Sequence, residues 1–499
     1  MAKYILRVEA VNIYDLIKDT QNLSTIRGAG LMILDAAGKI KNVPDNNKKI
    51  KIKNFKTIST GASIGMFSFE ADDEDKAEDF RNKVAEFLSN DSNLMHATFV
   101  VDIQPILNAE SFMKDYEKVI AKNRWRQFQQ LTVVLPEKNS SNDTKICALD
   151  KLRRGTCEET IQGEKKSIST SVSKRFKYGK GQKQKFYENQ LKKLNVKLED
   201  KDGKKQKFTT DFKSLSSNLK RGNLHHKIAV IYLDGNKFGT IRNRCCQTPG
   251  ALTDFDGTLK KYQRGFLKAL VKDRMLNDSG YITDDKKLRI ETLLWGGDEM
   301  MWVVPAWKGW SVLGAFYESS KGWKFRGEHL THAAGLVFCH HNAPIHRVTS
   351  LCRDLADKVK ANKDRPAENE FQYVVMESFD HIGQDIEKFR LTQVPFSYQY
   401  TLDGNKMGEI ADTIRKFIKE FPRNQVYNAI RAAIEDTQNN TLTEQDAFNK
   451  RLEEVLGTSH NHYVDNRFSN NNIFGQDPRG WWLHLAELWD YIPQEVREL

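Results

Sequence analysis

The stretch Leu293-Leu294-Trp295-Gly296-Gly297-Asp298-Glu299-Met300-Met301-Trp302-Val303-Val304 decides the reading of the fold. Two apolar runs flank Gly-Gly-Asp-Glu, the pattern of a β-hairpin with carboxylates at its tip. The glycines strip the tip of side chains and permit φ > 0, so a ligand can approach the backbone closely. Two acids on a turn between buried strands suit a bound cation. An ordinary Gly-rich hairpin whose acids face water fits the tetrapeptide equally well, and the surrounding chain must decide.

Working outward, residues 227–234 (Lys-Ile-Ala-Val-Ile-Tyr-Leu-Asp) form an apolar strand that ends in Asp234. A helix is expected over about 251–274, the hairpin over 289–305 and a helix near 310–320. A strand over 330–339, a helix over 344–362 and a strand over 371–377 follow. In that helix Val348, Leu351, Leu355 and Val359 share one face. The same order occurs once before. It runs through a strand at 3–9, a helix at 22–42, a Gly-containing hairpin at 57–71, a helix at 73–90 and a strand at 96–104, with a helix at 108–131 after it. Two tandem ferredoxin-like α+β units are therefore expected, over residues 1–135 and 227–384. Residues 136–226 read as a basic connector and residues 385–499 as a C-terminal helical domain.

The 499 residues suffice for about three domains. The N-terminus runs directly into a strand pattern without a signal-peptide core, and no apolar run reaches transmembrane length. A cytoplasmic protein that does not engage a membrane is expected. Six cysteines make no disulfide framework. Cys147 and Cys157 are too sparse for a zinc site, so zinc is not expected. Between Lys165 and Lys227 there are 19 Lys/Arg against 5 Asp/Glu, so this block exceeds the whole chain's net charge of +12. It reads either as a contact for nucleotide or nucleic acid, RNA included, or as a solvated insertion.

In a ferredoxin-like sheet the first strand lies beside one arm of the central hairpin. Asp234 should therefore meet Asp298 and Glu299 at one sheet edge, an oxygen-rich site suited to two Mg²⁺ or Mn²⁺ ions. Such metals can activate a 3′-hydroxyl and stabilise leaving pyrophosphate. The turn Asp234-Gly235-Asn236-Lys237-Phe238-Gly239 adds an amide and close backbone approach.

Leu-Asp-Gly-Asn-Lys-Phe-Gly followed by Trp-Gly-Gly-Asp-Glu-Met resembles the palm domain shared by diguanylate cyclases (the GGDEF-related palm) and CRISPR polymerases. The wider resemblance is to the large polymerase subunit of type III CRISPR systems. Ala334 to Ile345, Glu377-Ser378-Phe379-Asp380 and Asp19 to Gly30 also carry it. The resemblance implies two palms with a nucleotide pocket between them, one catalytic, joining nucleoside triphosphates (ATP foremost) into cyclic oligonucleotide messengers for antiviral defence. A downstream effector would bind the product.

Carried over, Asp234, Asp298 and Glu299 hold metal, and Gly235, Asn236, Phe238, Gly296 and Gly297 border the nucleotide. His340 lies near the base, and Lys358 or Lys360 contacts triphosphate unless these lysines are a solvated helix face. The first unit has Gly61-Ala-Ser-Ile-Gly65 where the acids would stand. It is expected to hold the acceptor nucleotide non-catalytically, with Arg27, Ser24 and Ser63 as contacts, or as capping and turn residues. The sequence departs from the CRISPR pattern in having no histidine–aspartate nuclease segment, no four-cysteine ribbon, and Glu299 where that family usually has Asp. These departures favour a stand-alone or small-assembly synthase. Arg242 stands where diguanylate cyclases tend to place a guanine-reading Asn.

Leu402-Asp403-Gly-Asn-Lys-Met-Gly408 nearly copies Leu233–Gly239, but an amphipathic helix follows it, so Asp403 reads as a helix-start residue. The rival readings are a non-catalytic nucleotide- or RNA-binding palm scaffold and a mononucleotide cyclase.

Overall fold

The computed structural model describes residues 1–46, 52–61, 63–107, 112–130, 145–161, 163–200, 203–361, 368–377, 385–396, 398–438, 445–457, 473–475 and 478–492. The expected boundaries at 135/136 and 384/385, and Ser378–Asp380, lie outside these residues.

The N-terminal unit contains β1 (Ala2–Val11), α1 (Leu23–Ile40), β2 (Ile52–Thr60), β3 (Ile64–Ala71), α2 (Glu74–Asn90) and β4 (Thr98–Pro105). Its antiparallel sheet has the order β2-β3-β1-β4, which is the ferredoxin-like order expected from the sequence. Asn22 and Asp73 cap α1 and α2 by accepting from the backbone of Thr25 and Lys76, which fixes where each helix starts. Ala77, Phe80, Val84 and Leu88 then point into the core at helical spacing. Helix α3 (Phe112–Phe128) follows.

The basic stretch contains more ordered structure than a connector pattern suggests. A hairpin, β5 (Cys157–Ile161) and β6 (Glu164–Ile168), leads into the 23-residue helix α4 (Thr170–Lys192). Helix α4 crosses α1 backbone to backbone. A Cβ on Gly28 would lie 1.8 Å from the Arg175 carbonyl oxygen, and one on Gly179 would lie 1.9 Å from that of Ser24. Cys147 is a buried free thiol in a small cluster with Ile161, Ile168, Val172 and Phe176.

The second sheet has six strands: β7 (Lys227–Gly235), β8 (Glu291–Gly296), β9 (Glu299–Pro305), β10 (His332–His340), β11 (Glu370–Val375) and β12 (Leu402–Asp403). Their order is β8-β9-β7-β10-β11-β12. Its first four strands repeat the order of the first sheet. Strand β11 then adds in parallel to β10, and β12 antiparallel to β11. Helices α5 (Phe238–Cys245), α6 (Pro249–Lys268), α7 (Ala306–Ser320) and α8 (Ile345–Lys360) accompany it. Val348, Leu351, Leu355 and Val359 are buried, as their spacing predicted. After β12 come α9 (Met407–Glu420), α10 (Arg423–Gln438), α11 (Gln445–Leu456) and α12 (Pro478–Leu488). Asp403 accepts from the Asn405 backbone at 2.8 Å and starts the turn into α9, as expected. Among the described residues no helix is long and apolar enough to cross a membrane.

Candidate active site at the hairpin tip

Strand β7 lies between β9 and β10, and the pairing register puts Glu299 opposite Asp234. The Gly235 backbone donates to the Asp298 carbonyl at 3.1 Å, so the three acidic residues meet at one sheet edge. The tip between β8 and β9 turns through Gly296 (φ 134°) and Gly297 (φ 63°), a region that side-chain-bearing residues rarely enter. The buried side chain of Gln263 on α6 donates to the Gly297 carbonyl at 2.9 Å and fixes the tip from below.

The turn after Asp234 is equally fixed. Asn236, expected at the nucleotide, is buried; its side chain donates to Thr331 Oγ1 at 3.1 Å and to the Glu368 carbonyl at 2.7 Å. Lys237 then adopts a left-handed conformation (φ 55°), which swings the chain into α5 and buries Phe238.

Two of the acids have protein partners. Lys360, at the end of α8, places its ammonium 2.5 Å from Asp234 Oδ2 and donates to the Gly235 carbonyl at 2.9 Å. The Tyr232 hydroxyl donates to Glu299. Burial pushes the Asp234 carboxyl up to about 6; Lys360 opposes the rise, and Asp298 and Glu299 add to it. A carboxylate held in this way has high demand for positive charge.

The donor set fits a hard divalent cation in its chemistry, since Asp234, Asp298 and Glu299 offer only oxygen. Among the described residues, however, no three His, Cys, Asp or Glu side chains converge in metal-holding geometry. Asp234 and Glu299 are turned to Lys360 and Tyr232.

Two cavities of about 290 Å³ each flank the tip, and both reach Ser63 and Glu299. One is bordered by Gly297, Asp298, Phe238, Arg242 and Tyr116. The other, between α1 and β8, is bordered by Lys18, Arg27, Thr292 and Arg353. The β2–β3 turn of the first sheet thus faces the acidic tip of the second across shared space.

Other expected contacts stand elsewhere. His340 pairs with Lys227, at the opposite end of β7 from Asp234. Seven residues at ~3.3 Å each separate them by roughly 23 Å. The reason is strand direction: β10 runs antiparallel to β7, so the end of β10 returns to the start of β7. His332 is the histidine near the turn, buried against Phe238, Phe316 and Trp323, with burial pushing it down to about 3. Arg27 is buried and grips Glu291 through two 2.6 Å contacts. Lys358 pairs with Glu387 at 3.2 Å. Ser24 contributes its backbone to the helix crossing.

The sequence reading missed Tyr232, Gln263, Glu291, Lys183 and Arg353. Tyr232 alone carried a signal, lying two residues before Asp234 on the same strand face.

The overall fold is shared with solved proteins. Neither a family model nor a curated protein sequence matches the chain. The fold is similar to that of Csm1, a type III CRISPR Cas10 protein. A Csm1–Csm4 cassette in complex with cA4 aligns with TM-score 0.56 at 10% identity, over 99% of this chain and 70% of that chain. The same cassette with one ATP gives TM-score 0.56 at 10% identity over the same shares. Csm1 of T. onnurineus gives 0.55 at 11%, again over 99% and 70%. The resemblance drawn from the motifs thus holds at the level of the fold.

Proposed function

We propose that the chain is a two-palm, metal-dependent nucleotidyltransferase that joins nucleoside triphosphates, ATP foremost, into a cyclic di- or oligonucleotide messenger in antiviral defence. The observation that carries this reading is the meeting of Asp234, Asp298 and Glu299 at a glycine-stripped tip between two cavities. Structures of similar fold have been solved with cA4, cA3, pppApApA and ATP bound, and with Csm4 as a partner, which supports the choice of nucleotide and suggests a Csm4-like companion for this chain.

Asp234, Asp298 and Glu299 would hold Mg²⁺ or Mn²⁺, which when bound supplies an acidified 3′-hydroxyl and a counter-charge for pyrophosphate. Gly296 and Gly297 let the donor nucleotide approach the backbone. Gln263 and Asn236 keep the two acidic turns in register. Lys360 releases Asp234 and turns its ammonium to the triphosphate. Ser63, on the turn facing the tip, borders the acceptor nucleotide, and the first unit supplies no acid of its own there.

The test is mass spectrometry of products from each of the four triphosphates with Mg²⁺ or Mn²⁺. Asp234→Ala and Asp298→Ala should abolish pyrophosphate release while circular dichroism stays unchanged. Full activity in both variants would overturn the reading. Salt-sensitive nucleotide binding without turnover would point to the scaffold, and a 3′,5′-cyclic monophosphate to a mononucleotide cyclase.

A further inference from the structure

A second groove, of about 750 Å³, lies at the N-terminal end of α1, between α1, α4 and the 207–213 segment. Its floor is unusual. Arg27 and Lys183 are 3% and 6% exposed and share one carboxylate, Glu291, with Lys183 Nζ at 2.7 Å from it. Two buried cations on one buried acid leave a surplus positive charge, held by the carbonyls of Gly179, Thr210 and Thr209. Buried charge of one sign is costly and draws counter-charge.

The rim adds to that charge instead of offsetting it. Lys180, Lys207 and Lys213 are exposed along the groove, Lys287 beside them is paired with Asp285 at 2.6 Å, and Asp211 is the carboxylate among the lining residues. His341, which also lines the groove, is pushed down to about 4 by burial first, then by His340, His226 and Lys213, with Asp211 opposing. Of the rings that border the groove, Phe176 and Phe208 are buried in the core, Phe208 stacked on Tyr187, and Phe212 is half-buried. A row of cations along a groove is the electrostatic half of single-stranded nucleic-acid recognition, because it can track a phosphodiester backbone.

We propose that this groove binds the phosphodiester backbone of a short single-stranded oligonucleotide, at a site separate from the two cavities at the hairpin tip. Lys180, Lys207 and Lys213 contact successive phosphates, the half-buried Phe212 borders a base, and the Arg27–Lys183–Glu291 floor supplies the fixed positive field. The groove and the tip cavity have Arg27 as a common wall. The proposal concerns binding alone and stands whether or not the chain turns over triphosphates.

The test is fluorescence anisotropy of a labelled single-stranded oligoribonucleotide on the full chain, without divalent metal so that turnover is excluded. The triple variant Lys180→Glu/Lys207→Glu/Lys213→Glu should weaken binding at least tenfold. It should also flatten the slope of log K against log salt by about 2, at about 0.7 for each phosphate that is no longer neutralised. All three side chains are exposed, so the thermal midpoint should stay unchanged. A charge-matched control, Lys114→Glu/Lys268→Glu/Lys416→Glu, places the same change on exposed sites elsewhere and should retain binding. Equal weakening in both triple variants would show attraction by net charge alone and overturn the site. Full displacement of the oligonucleotide by equimolar ATP or inorganic triphosphate would reassign the groove to mononucleotides and likewise overturn it.

Discussion

Lys360 holds its ammonium 2.5 Å from the carboxylate of Asp234, at the point where the β7 strand ends and a divalent cation would bind. Burial, with Lys360 opposing it, sets the ionisation of that carboxylate. Asp234 is pushed up to about 6 by burial even with Lys360 beside it. Cation binding needs the ionised carboxylate. Mn²⁺ affinity, measured by titration calorimetry, should therefore be flat above about pH 6 and fall about tenfold per pH unit below it.

Lys360→Ala should change that profile in two ways. The competing ammonium is gone, so Mn²⁺ should bind more tightly at pH 8. The group that opposed the rise in the Asp234 carboxyl is also gone, so the break in the profile should move to higher pH. If Lys360 also receives triphosphate, KM for ATP rises in the same variant. A break that stays in place would show that Lys360 does not control Asp234.

Asp234→Asn should remove activity and yet stabilise the protein at neutral pH. A carboxyl whose folded pKa lies above its usual 3.8 binds more protons folded than unfolded between those values. Stability is therefore lost as pH rises from about 4 through about 6, and the ionised acid costs the fold on the order of 3 kcal/mol at pH 7. An uncharged amide avoids that cost. The gain should appear as a higher thermal midpoint at pH 7.5 and shrink toward pH 4.

Much of this site was legible because its elements have strong period and short range. The alternation of β7, the glycines of the tip and the apolar face of α8 each fix an element without outside help. Asp234 and Asp298, 64 positions apart, were brought together by sheet order alone. Helix α4 was harder to read. Its buried positions, Val172, Phe176, Gly179, Lys183, Tyr187 and Leu191, keep helical spacing, but a glycine and a lysine occupy two of them and the remaining faces are basic. Glu291 gave no local sign, because its partners lie 264 and 108 residues away. The placing of His340 followed a motif and neglected strand direction. A residue at the end of β10 must lie at the start of β7, away from the acids.

Glu291→Gln should be among the most damaging single changes outside the tip. It leaves Arg27 and Lys183 buried without their shared carboxylate, a loss of about 3–5 kcal/mol in denaturant unfolding. The damage should ease at high pH. Burial already pushes Lys183 down to about 8, with Glu291 opposing the fall. The unfolded chain holds that proton up to about 10.5, so stability rises with pH above the folded value. Without Glu291 the folded value drops further, and recovery should begin at a lower pH than in the parent. A variant equally unstable from pH 7 to 9.5 would show that altered packing, not missing charge, is the cause.

The crossing of α1 and α4 is tested by two alanines on one helix. Gly28 and Gly38 both lie in α1, and alanine ordinarily gains up to about 1 kcal/mol over glycine in a helix interior. Nothing lies within 4 Å of a Cβ on Gly38, so Gly38→Ala should show that gain. A Cβ on Gly28 would lie 1.8 Å from the Arg175 carbonyl oxygen, which is backbone and cannot rotate away. The helices must part, the Arg27–Glu291–Lys183 contacts that bridge them loosen, and overpacking of about 1–3 kcal/mol outweighs the propensity gain. The two substitutions should therefore shift the thermal midpoint in opposite directions. Because Arg27 adjoins Gly28 and grips β8, Gly28→Ala should also slow pyrophosphate release, whereas Gly38→Ala leaves it unchanged. Equal shifts of the same sign would mean that the basic stretch does not pack on α1 as the fold describes.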